Sequence, residues 1–124
     1  MYASIILPTY CECGNIAHLI TAIEANLAPL GQAIEILVVD DASPDGTAAE
    51  VQALIPLPGF TIRCLVRQNE RGLATAIRHG ILNASGDQII VIEAKSRRDA
   101  VAEFNFIYGE HTPVDMIVEN DLPK

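Results

Sequence analysis

Four short runs of apolar residues, each stopped by polar turn residues and separated by stretches of helical period, constrain this chain more than any other feature. They are Ser4-Ile5-Ile6-Leu7 ahead of Pro8, residues 34–39 ahead of Asp40-Asp41, residues 60–66 with Ile62, Cys64 and Val66 on one side, and residues 88–92. A run that is apolar at nearly every position predicts a strand covered on both faces. Between the runs, Asn15 is placed to cap a helix with Ile16, Leu19, Ile20, Ile23 and Leu27 turned inward. A turn-rich loop, Ala42-Ser43-Pro44-Asp45-Gly46-Thr47, leads into a short helix through Val51 and Leu54. Arg71-Gly72-Leu73 opens a third helix with Leu73, Ile77 and Ile81 toward the core, and Ser85-Gly86-Asp87 closes it. A fourth helix over 96–108 and a last strand over 114–118 complete the alternation. The chain reads as α/β, three-layered and Rossmann-like, with a mainly parallel sheet of about five strands and helices on both faces. Its 124 residues amount to a single domain.

Charge narrows the partners. The formal net charge is −8, and every Lys and Arg lies beyond residue 62 (Arg63, Arg67, Arg71, Arg78, Lys95, Arg97, Arg98, Lys124). An acidic chain without a basic stripe cannot hold a nucleic-acid backbone by counterion release, so nucleic acid is not an expected partner. No apolar stretch approaches the roughly 20 residues of a membrane helix. With no basic leader at the N-terminus, the expected location is cytoplasmic, with membrane association only through a partner. Cys11, Cys13 and Cys64 lack the paired spacing of a structural zinc site and read as two loop thiols and one strand residue.

In parallel sheets of this kind, ligands bind beyond the carboxyl ends of the strands, near the point where strand order reverses. Polar residues gather at all four such ends: Pro8-Thr9-Tyr10-Cys11-Glu12, Asp40-Asp41-Ala42-Ser43, Gln68-Asn69-Glu70-Arg71, and Glu93-Ala94-Lys95-Ser96. A tyrosine and a carboxylate at one end can stack on a flat ring and accept from a ribose hydroxyl. A carboxylate at the neighbouring end can accept ring N–H donors. That set suits a nucleoside, while the absence of Gly-x-Gly-x-x-Gly and of a Walker loop excludes the common dinucleotide and P-loop modes. The competing reading makes Tyr10 and Glu12 surface loop residues and the Asp pair a turn cap.

The segments around Pro8-Thr9-Tyr10, Val38-Val39-Asp40-Asp41 and Arg71-Gly72-Leu73, in this order and spacing, resemble a family 2 glycosyltransferase with the GT-A fold. The similarity is greatest to the dolichol-phosphate mannosyltransferase group and covers roughly residues 3 to 94. The resemblance implies a nucleotide-sugar donor, GDP- or UDP-linked. It implies that Pro8, Thr9, Tyr10 and Glu12 contact the nucleoside, with Cys11 where the family has Asn. Asp41 would accept from the base with Val39 beside it, Asp40 would support the loop, and Arg71, Gly72 and Leu73 would line the crevice.

Two departures accompany the match. Where the family carries Asp-x-Asp to hold Mg²⁺ or Mn²⁺ against the diphosphate, this chain reads Glu93-Ala94-Lys95. Glu93 could still ligate such a metal, and Lys95 replaces the second carboxylate with a cation. With Arg97 and Arg98 behind it, Lys95 is a candidate clamp on the diphosphate in place of the metal. The chain also ends where the family continues into an acceptor-binding half, so no catalytic base is assigned. A sheet edge left uncovered would invite a homodimer, or be filled by residues 114–118. Three roles follow: a donor-binding transferase domain that depends on a partner for its acceptor, a silent nucleotide-binding regulator, and an interaction scaffold that has lost the ligand.

Overall fold

The computed structural model describes residues 1–92; the helix expected over 96–108 and the strand over 114–118 lie outside them. Strands β1 (Ala3–Thr9), β2 (Ile34–Asp40), β3 (Phe60–Val66) and β4 (Gln88–Val91) alternate with helices α1 (Ile16–Leu27), α2 (Thr47–Gln52) and α3 (Leu73–Asn83). All strand pairs are parallel, in the order β3-β2-β1-β4. The described residues therefore show four strands of the expected sheet.

Side chains alternate across the sheet and divide between two cores. Ile5, Leu7, Ile36, Val38 and Ile62 meet Ile16, Leu19, Ile20 and Ile23 of α1 and Val51 of α2. On the opposite face Ile6, Val39 and Val91 meet Ala76 of α3. β1 and β2 are buried along their whole length, as expected of strands with helices on both sides.

The structure corrects three local readings. α3 does not turn Leu73 and Ile81 inward: both are exposed, and its buried residues are Ala76 and Gly80. The cause is close approach, since a Cβ on Gly80 would stand 2.6 Å from the Cγ2 of Ile6. Only small residues fit where α3 crosses β1, so the bulky apolar ones are displaced to the flanks. Val66 is likewise exposed, because it ends the outermost strand. Asn15 makes no side-chain cap to α1. The Glu50 carboxylate of α2 accepts instead from the N–H groups of Gly14 and Ala17, placing a negative charge at the positive end of the α1 dipole.

Strand order reverses between β1 and β4, which puts the crevice at their carboxyl ends. Among the described residues β1 pairs with β4 from Ala3–Gln88 to Ile6–Val91, followed by a bond from Ile92 N–H to the Ile6 carbonyl. Among the described residues no helix is long and apolar enough to cross a membrane.

Candidate functional site

Three loops meet at the carboxyl end of the sheet. The first two are stitched together by side chains of the second. Cys11 N–H donates to Ser43 Oγ (2.8 Å), Glu12 N–H to Thr47 Oγ1 (3.0 Å), and Cys13 N–H to Asp45 Oδ2 (3.2 Å). These bonds use the backbone donors of residues 11–13, so a ligand here meets side chains rather than an N–H cradle. Two non-glycine residues in these loops, Cys11 at φ 58° and Ala42 at φ 54°, occupy the left-handed region. Such geometry persists only where surrounding contacts impose it.

The paired aspartates have separate duties. Asp40 faces the α1 side, where it accepts from Thr9 Oγ1 (2.8 Å), Ser43 N–H (2.9 Å) and Ser43 Oγ (2.6 Å). It braces the loop, as the resemblance implied. Asp41 faces the α3 side and meets Arg67. Arg67 Nε donates to Oδ1 (2.7 Å) and Nη2 to Oδ2 (3.0 Å), while Gly72 N–H donates to Oδ2 (3.0 Å). Burial pushes the Asp41 carboxyl up, but the hydrogen bonds and charge of Arg67, with the Gly72 N–H, outweigh it and hold the group below the usual aspartate range. Gly72 has φ +117°, a conformation open to glycine that lets its N–H reach Asp41 while its carbonyl accepts from Arg67 Nη2 (3.2 Å).

Of the residues singled out in the sequence, Tyr10, Glu12, Asp41, Arg71 and Gly72 all lie on these strand-end loops. Tyr10 is 44 % exposed, with the Arg71 guanidinium 4.6 Å from its ring centroid, a cation–π contact that ties the first loop to the third. Glu12 is half-buried; burial raises its carboxyl above the usual range, against a hydrogen bond with Asn15, and Asp45 adds to the rise. Pro8 and Val39 are register partners inside the sheet and Thr9 is opposite Asp40, all three buried. Glu93, Ala94 and Lys95 lie outside the described residues. Among the described residues no three of His, Cys, Asp and Glu converge to hold a metal ion.

Arg67 escaped the sequence reading, which counted it only among the late cations. Its partner is set by the register that pairs Asp40 with Val66, which brings Arg67 beside Asp41.

Comparison with known proteins agrees with this geometry. The description Glycosyl transferase family 2 matches residues 4–94, and the chain belongs to that family. Over 92 residues it is 39 % identical to a dolichol-phosphate mannosyltransferase of Saccharomyces cerevisiae, covering 73 % of this chain and 34 % of that protein. Among solved structures it is similar to TarS of S. aureus in complex with UDP, with TM-score 0.66, 22 % identity and coverage of 82 % of this chain and 31 % of that one. It is also similar to a mannosyltransferase from Pyrobaculum calidifontis in complex with GDP-Man and Mn²⁺, with TM-score 0.53, 22 % identity and coverage of 83 % and 32 %. The four-stranded parallel sheet with helices on both faces is the GT-A arrangement. The chain spans about a third of the length of these relatives.

Proposed function

We propose that the loops at the carboxyl end of the sheet bind the nucleotide of a GDP- or UDP-linked sugar, as the donor side of a glycosyltransferase. One observation carries this reading: a buried, ionised Asp41 locked by Arg67 and Gly72 stands on the same strand-end surface as an exposed aromatic ring, Tyr10, under the Arg71 cation. In this role Asp41 accepts from the base, the Tyr10 ring offers a stacking surface, and Glu12 accepts from ribose hydroxyls. Solved structures similar in fold to this chain include one in complex with UDP and one in complex with GDP-Man, which supports the ligand class.

A divalent ion, if used, would rest on Glu93, and Lys95 supplies a cation in its place. Among the described residues β4 pairs only with β1, and the homodimer would form along its other edge; light scattering at twice the chain mass supports that contact, and a monomer at all concentrations removes it.

The test is calorimetric titration of GDP, UDP and their sugar conjugates, with and without Mn²⁺, on the wild type and Tyr10→Ala. Saturable binding weakened by about tenfold in Tyr10→Ala, the scale of one lost stacking contact, supports the reading. No binding with or without Mn²⁺ overturns it.

A further inference from the structure

The arrangement around Asp41 sets a limit on what it can read, an inference that rests on the nucleotide-binding role just proposed. A carboxylate offers about four lone-pair positions, two on each oxygen. Oδ2 accepts from both Arg67 Nη2 and Gly72 N–H, and Oδ1 accepts from Arg67 Nε. One position is left, on Oδ1, on a side chain that is 10 % exposed.

The Arg67 fork cannot turn away to free a second position. All five of its N–H groups have acceptors: the two Asp41 oxygens, Gly72 O (3.2 Å), Glu70 Oε1 (3.3 Å) and Thr75 Oγ1 (3.0 Å). Rotating Asp41 to present both oxygens outward would break three bonds, two of them from a buried guanidinium that would keep only the exposed Glu70 as its carboxylate partner. The same saturation means that Arg67 has no N–H left for a base carbonyl. It acts on a ligand only through Asp41.

We propose that Asp41 accepts a single hydrogen bond from the base, so that the site reads one ring N–H and is indifferent to a second donor beside it. Guanine presents N1–H and its 2-amino N–H side by side, a pair that would otherwise suit two carboxylate oxygens. Hypoxanthine keeps the N1–H and lacks the amino group. Uracil offers N3–H alone. Asp41 treats guanine and hypoxanthine alike, which makes Arg67 and Gly72 the positioning residues of base recognition.

Calorimetric titration of the full chain with GDP, IDP and UDP tests this, together with the ring-N-methylated form of whichever nucleotide binds. GDP and IDP are expected to agree within about threefold, and methylating the ring N–H to weaken binding about tenfold or more, the loss of a hydrogen bond to a charged acceptor. GDP binding more than about threefold tighter than IDP overturns the single-acceptor reading while leaving the nucleotide site intact, as does a methylated form losing less than about tenfold. If UDP binds and the purines do not, methylated UDP decides by the same criterion. Failure of every nucleotide to bind removes the site itself, and this inference with it.

Discussion

Strand β2 carries a buried carboxylate at each end on the α3 side of the sheet, and the two are built differently. Glu35, at the amino end, is 2 % exposed. It accepts from Ser4 Oγ (2.5 Å) and Ser85 N–H (2.6 Å), and Ser4 Oγ accepts in turn from Gly86 N–H (2.7 Å). Its nearest cation, Arg63, stays 3.8 Å away and half in solvent, donating to the Asn83 carbonyl. Asp41, at the carboxyl end, is gripped by a nearly buried guanidinium at hydrogen-bond distance and keeps one acceptor position open. The first carboxylate fastens β1, β2 and the α3–β4 turn to one another and is enclosed by backbone. The second is pre-organised and faces a surface with an exposed tyrosine and arginine. One strand thus holds a structural clasp at one end and an acceptor awaiting a donor at the other.

The largest effect should come from removing the second carboxylate. Asp41→Ala leaves the buried Arg67 with only the largely exposed Glu70 as counter-charge and should cost about 3–5 kcal/mol of stability, read by urea denaturation. Glu35→Ala leaves neutral donors unpaired and an arginine that can turn to water, so its cost should be nearer 1–3 kcal/mol. Equal costs would erase the distinction drawn between the two ends.

Next comes Gly86→Ala. A Cβ there would lie 2.4 Å from the backbone of Ala3 and Ser4, so the clasp must open, at about 1–3 kcal/mol or more by the same denaturation. Because the damage is confined to the amino end, nucleotide affinity of the folded protein should be unchanged.

Acid should loosen the Asp41 end. Asp41 is held below its unfolded value, so its contribution is complete above the unfolded carboxylate pKa of about 3.9 and is lost as pH falls through the lower folded value. Asp45 and Glu50 shift in the same direction. The denaturation midpoint should therefore drop steeply below about pH 4, and Asp41→Asn should flatten that drop.

Smallest in stability is Tyr10→Ala. Tyr10 is exposed and its ring braces Arg71 alone, so the change should stay within about 0.5 kcal/mol. Its effect on nucleotide binding should far exceed that.

How much of this was legible in the sequence differs between the two ends. The four strands and the strand-end clustering of Tyr10, Glu12 and Asp41 follow from apolar runs and turn residues, and the bracing role of Asp40 from the family resemblance. The clasp was invisible because Ser4 and Glu35 sit inside runs read as apolar, and their pairing depends on the register of β1 with β2. Arg67 required the adjacency of β2 and β3, which local pattern does not contain. α3 misled for a different reason: of Leu73, Ile77 and Ile81, at helical spacing, only Ile77 packs against the core, and the close contact with Ile6 is made through Ala76 and Gly80. Periodicity ranks residues by hydrophobicity, whereas a close helix–sheet crossing selects by size. Glu50, the cap of α1, lies over thirty residues from the N–H groups it satisfies.

The most direct test of the central claim is amide chemical-shift mapping of the labelled protein during titration with GDP and with UDP. Binding at the Asp41 end predicts perturbations concentrated at residues 9–12, 40–43 and 67–73, with residues 35, 63 and 85–86 unmoved. Perturbations centred on Glu35, Arg63 and the 85–86 turn, or none at saturating nucleotide, would contradict the account.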